Sequence, residues 1–105
     1  MPSPDEIQLE RHQREESRWY LLRILYMARP YSLTETTVLK SLQGADLPIT
    51  PNVLRQELDY LAAKGLVDIV TKKGGVWRAK LAAYGIDVVE YAKDAPAGIA
   101  RPDEA

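Results

Sequence analysis

The stretch GLVDIVTKKGGVWRAKLA, residues 65 to 82, decides how the rest of the chain is read. Two runs rich in β-branched residues, LVDIVT and VWRAKLA, flank the doubly basic turn KKGG, and runs joined by a short glycine turn predict a β-hairpin. In the second run Trp77, Ala79 and Leu81 alternate with Val76, Arg78 and Lys80, which predicts one buried face and one charged face.

Reading outward toward the N-terminus, the spacing predicts a helix from Thr50 to Lys64. Thr50 is its cap, Pro51 takes the first helical position, and Leu54, Leu58 and Leu61 recur at i, i+4 and i+7 before the stop at Gly65. The preceding ADLPITPN reads as a turn. A second helix, capped by Ser32 or Thr34, carries Val38, Leu39 and Leu42 and stops at Gly44, and YSL at 31 to 33 suits an edge strand. The first helix starts very early, with Ser3 as cap, Pro4 at the first position and Glu6 completing a capping box. From Trp19 a broad apolar stripe through Leu22, Leu25 and Ala28 marks it as core, and Pro30 ends it near Arg29. Beyond the hairpin, Ile86, Val89 and Tyr91 suit a fourth helix from about Ala83, poorly capped and weakened by Gly85. After Lys93, DAPAGIARPDEA reads as a flexible tail.

Composition narrows the function classes. A chain of 105 residues with 46% hydrophobic and 28% charged residues supports a single globular core. The N-terminus, MPSPDEIQLERHQREESR, has no apolar core of the kind a secretory signal needs, and no run suits a membrane helix; a cytoplasmic protein is expected. There is no cysteine, and the one histidine, His12, stands in a charged segment. With no metal-ligand spacing, no phosphate-binding glycine loop and no nucleophile beside a credible base, neither an enzyme nor a cofactor or metal site is expected.

The order helix, short strand, helix, turn, helix, hairpin is that of a winged helix-turn-helix domain: mainly α with a small β-hairpin, here with an extended first helix and a C-terminal helix. Residues 1–16 form a helical N-terminal extension, 17–93 the winged-helix domain and 94–105 the tail. LDYLAAKGLVDI, residues 58 to 69, resembles the end of the recognition helix and first wing strand across that superfamily. YSLTETTVL at 31 to 39 and GGVWRAKLAAYGIDVVE at 74 to 90 resemble small winged-helix proteins of Mu-like transposable phages and prophages, and the likeness spans roughly residues 17 to 90. It implies a DNA-binding style of fold and a regulator of transcription, without implying a target. The chain departs from that pattern at LAAYG, where a polar cap for the last helix is expected.

In that layout the helix 50–64 is the recognition helix and KKGG, 72–75, the tip of the wing. Asn52, Arg55, Gln56, Asp59 and Ala63 turn away from the leucine face, and Arg55, Gln56 and Asn52 have the donors that pair with guanine and adenine edges. Glu57 and Asp59 bring acid to the same helix. Residues 50 to 80 hold six basic residues against three acids, a net of +3, while the whole chain stands at -1. The basic excess therefore gathers on this helix and wing, where Lys72, Lys73 and Arg78 are expected to meet the phosphates of double-stranded DNA. Trp19 and Trp77 are expected in the core. Ile7, Leu9, Ile86, Val89 and Tyr91 are the candidates for a homodimer interface. A winged-helix module that binds protein and no nucleic acid stays open beside the DNA reading.

Overall fold

The structure, a computed structural model, describes residues 1–47 and 49–104. Pro48, inside the expected ADLPITPN turn, and Ala105, the last tail residue, lie outside the described residues. Among the described residues, four α-helices pack with a small antiparallel sheet: α1 Pro4–Ala28, β1 Leu33–Thr34, α2 Glu35–Gly44, α3 Pro51–Ala63, β2 Val67–Thr71, a 3-10 turn Lys73–Gly75, β3 Arg78–Leu81 and α4 Ala83–Val89.

The helix starts follow capping chemistry. Ser3, Thr34 and Thr50 each take an extended backbone conformation, and each side-chain oxygen accepts from an otherwise unpaired amide three residues on, those of Glu6, Thr37 and Val53. Ala82 has no such group, so α4 begins without a side-chain cap.

The ends of α2, α3 and α4 share one geometry, which α1 lacks. In α3 the Gly65 amide bonds Ala62 O and the Leu66 amide reaches back to Leu61 O, with Gly65 left-handed at φ 76°. The same pair of bonds closes α2 around Asp46 (φ 61°) and α4 around Tyr91 (φ 60°). Gly44, expected to stop α2, is its last helical residue; the turn itself falls two residues later on Asp46. Likewise Tyr91, expected within the last helix, is the left-handed residue that ends it.

The sheet adds a strand to the expected hairpin. β3 is central in the order β1-β3-β2, with Leu33 opposite Ala79, Thr34 opposite Arg78, and Val67 opposite Leu81. β1 is thus the short edge strand that YSL predicted, shifted to Leu33–Thr34. A bulge between Ile69 and Thr71 breaks the β2 ladder just before the β2–β3 loop. The second strand is shorter than VWRAKLA suggested, because Gly74 and Gly75 both take left-handed φ and Val76 and Trp77 stay outside the ladder.

The core gathers Leu21, Leu22 and Leu25 of α1, Val38 and Leu42 of α2, and Leu54, Leu58 and Leu61 of α3 beneath Ala79 and Leu81. Leu47 and Ile49 also enter it, so the stretch read only as a turn holds α2 against α3. Gly85, read as a weakness of α4, has a packing reason. A Cβ there would fall 2.1 Å from Leu66 O and 2.6 Å from Leu81 Cδ1, so only glycine lets α4 sit this close to the sheet.

Residues 95 to 102 lie back against the domain, where sequence reading expected a free tail. Ala95 and Ile99 pack on the core, the Ala100 amide bonds Glu15 O at 3.1 Å, and Arg18 Nη1 donates to Gly98 O at 3.0 Å. Tyr60 Oη donates to Ala97 O at 3.3 Å and Tyr91 Oη to Pro102 O at 2.7 Å. Among the described residues, no helix is long and apolar enough to cross a membrane.

Candidate nucleic-acid interface

α3 presents its leucines inward because Leu54, Leu58 and Leu61 fall on one side at helical spacing. The opposite stripe of Asn52, Gln56, Asp59 and Ala63 is exposed as expected. Thr50 and Pro51 fix where this stripe begins, and the turn at Gly65 fixes the direction in which the chain leaves for β2.

Glu57 does not join that stripe. It is buried, and its carboxylate is bonded by Arg18 of α1, through Nε to one oxygen and through Nη2 to the other at 3.5 Å. The acid expected to oppose DNA is thus neutralised in the interior. Arg18 also lies 3.8 Å over the Tyr60 ring, a third anchor for the same guanidinium.

Arg55 is intermediate in exposure and committed. Its Nε donates to Glu35 Oε2 at 2.7 Å and its Nη2 to Glu35 Oε1 at 2.6 Å, a two-point ion pair with the first residue of α2. Nη2 also donates to Gly75 O in the β2–β3 loop at 2.6 Å. The Arg55 guanidinium holds the Glu35 carboxyl below its ordinary value, helped by the Trp77 backbone and opposed by desolvation. In return Glu35 raises the pKa of Arg55.

The loop between β2 and β3 folds toward α3. Lys72 Nζ is 3.9 Å from Asp59 Oδ1 and 4.1 Å from the centre of the Trp77 ring, and the Arg55 guanidinium carbon is 5.1 Å from the same centre. Trp77, expected in the core, is half-buried and packs against it, and its ring also meets two cations. Lys73 is exposed, its amide bonded to Thr71 Oγ1 at 3.1 Å. Arg78 belongs to the charged face of β3 with Lys80 and donates to Ser32 Oγ at 3.3 Å. So the structure brings Asn52, Gln56, Asp59 and Lys72 together along one ridge, engages Arg55 in holding that ridge together, and ties Arg78 to Ser32.

The dimer candidates divide in the same way. Ile7 and Leu9 are 45% and 57% exposed on the N-terminal part of α1, which projects beyond the core with residues 4 to 12 all exposed. Ile86, Val89 and Tyr91 pack against the chain's own core, and the Tyr91 ring meets Trp19 edge-on at 6.2 Å. These three are partly buried within the chain itself, whereas Ile7 and Leu9 are not.

Sequence reading missed Glu35 and Arg18, and it gave Gly75 only as part of the wing tip, without its bond to Arg55. Glu35 carried a signal, as an acid in the first turn of a capped helix, but that signal speaks of the helix dipole and not of a partner twenty residues away. Among the described residues, no cluster of three or more histidine, cysteine, aspartate or glutamate side chains is placed to hold a metal ion. Comparison of the chain with protein-family models, with curated proteins and with solved structures finds no match.

Proposed function

We propose that the chain is a winged-helix DNA-binding protein, a regulator of the Mu-like phage type that acts by occupying duplex DNA without a catalytic step. The observation that carries this reading is the ridge formed by the exposed stripe of α3 and the wing, with Lys72 3.9 Å from Asp59 and the neighbouring Lys73 exposed. The strand order β1-β3-β2 behind α2 and α3 is compatible with a winged-helix layout. On this reading α3 enters the major groove, Asn52 and Gln56 face adenine edges, and Lys72 and Lys73 meet phosphates. Pairing of two copies in the cytoplasm, through the projecting part of α1 with Ile7 and Leu9, doubles a short contact.

The test is a fluorescence-anisotropy titration of the protein with labelled mixed-sequence duplex, repeated at rising salt. Binding at low salt that weakens linearly in log-log form supports the reading. No binding to long duplex at low salt refutes it.

A second reading has its own observation. Asp59 is exposed on the stripe and Arg55 is occupied by Glu35, which leaves α3 itself without a free arginine for DNA and favours a protein partner on the same face. Loss of duplex binding on charge reversal at Lys72 and Lys73, with fold and assembly intact, removes the ground for this alternative.

A further inference from the structure

We propose that Arg55 is a positioning residue for the wing and not a reader of bases, tying α3 at once to the first turn of α2 and to the Gly75 carbonyl. The effect on DNA rests on the duplex-binding reading above; the mechanical role does not.

The argument is one of donors. A guanidinium offers five N–H groups: one on Nε and two on each terminal nitrogen. Glu35 takes Nε and one hydrogen of Nη2, and Gly75 O takes the other hydrogen of Nη2. Only Nη1 is left, and two-point recognition of a guanine edge needs donors from two nitrogens. Reading guanine would therefore require Arg55 to abandon a charged two-point pair.

Glu35 is itself held. Its amide donates to Trp77 O at 2.8 Å, so the first turn of α2 is pinned to the chain entering β3. The Trp77 ring supports both the Arg55 guanidinium and the Lys72 ammonium. One arginine thus spans α2, α3 and the wing, and it sets where Lys72 and Lys73 stand relative to Asn52 and Gln56. Gly74 and Gly75, both left-handed, make a loop that needs such an external tie to keep one arrangement.

Lysine cannot replace this geometry, since one ammonium lacks the planar fork that serves a carboxylate and a carbonyl together. The experiment compares wild type with Arg55→Lys, which keeps the charge, and Glu35→Gln, which keeps the shape. Backbone nitrogen relaxation at residues 73 to 76 reads the wing, and leucine methyl dispersion checks the core. In both variants the order parameters of the wing are expected to fall from about 0.85 toward about 0.6, with the core spectrum unchanged. Duplex affinity is expected to fall about tenfold through weaker preorganisation, with the ranking of base-substituted duplexes preserved.

A rigid wing in Arg55→Lys and Glu35→Gln overturns the proposal. So does an affinity loss confined to duplexes with guanine at one position, which would make Arg55 a reader. If the wild type binds no duplex at all, the DNA reading fails on its own and the relaxation data still decide the clamp.

Discussion

Arg18 of α1 and Glu57 of α3 form an ion pair in the interior, with side chains only 14% and 6% exposed. Deleting one member of a buried pair strands the other charge, at a typical cost of about 3–5 kcal/mol. Arg18 retains some access to water, so the lower end applies. Arg18→Ala and Glu57→Ala are each expected to lower unfolding stability by about 3 kcal/mol in urea titrations, with the double variant losing far less than the sum. Strictly additive losses would show that the two charges are not coupled.

Gly85 gives a prediction whose sign opposes helix propensity. In an exposed helix, glycine to alanine gains about 1 kcal/mol. Here the new Cβ would meet the Leu66 carbonyl, which is backbone and cannot swing aside. Gly85→Ala is expected to destabilise by about 2 kcal/mol or more as α4 is pushed off the sheet. Gly44→Ala is the control: nothing lies within 4 Å of its Cβ position, so a gain of up to about 1 kcal/mol is expected. Thermal unfolding of the two variants reads both signs.

Glu35 links the clamp to pH. Its hydrogen bonds from Arg55 hold the folded-state carboxyl below the ordinary value of 4.5. Its contribution is therefore complete above that value and is lost as pH falls through the lower folded-state value. Wild type minus Glu35→Gln should give a stability difference that is constant near neutrality and shrinks below about pH 4.5. A difference that does not change across the acid range would mean that Glu35 is not ionised in the pair.

Much of this architecture was legible because it rests on local chemistry. Ser3, Thr34 and Thr50 announce helix starts through their own hydroxyls, and the leucines of α3 announce a buried face through their spacing alone. What was not legible depends on distant neighbours. Asp46 and Tyr91 carry left-handed turns that glycine would usually mark, and Tyr91 is kept there by Trp19 and Pro102. The tail, with two prolines, a glycine and small residues, reads as irregular, yet Ile99 packs on the core and the Gly98 carbonyl accepts from Arg18 of α1. At the site, the helical wheel placed Arg55 on the outer face, while only the fold could bring Glu35 to it.

Asp59 and Lys72 supply the sharpest test of what the ridge binds. Their side chains are 59% and 55% exposed and 3.9 Å apart, so the pair contributes under about 1 kcal/mol and leaves Lys72 free to turn to a phosphate. On the duplex reading, Asp59→Asn removes a charge that phosphates repel. It is expected to tighten binding several-fold at low salt, with the gain fading as salt rises. Lys72→Gln combined with Lys73→Gln is expected to reduce the slope of log affinity against log salt by about 2, roughly 0.9 for each phosphate that is no longer neutralised. Anisotropy titrations between about 50 and 200 mM salt read both effects. Weaker binding by Asp59→Asn would instead make Asp59 an acceptor for a base amino group such as that of cytosine. A salt slope unchanged by the lysine substitutions would take the wing away from the phosphates and leave the ridge to a protein partner.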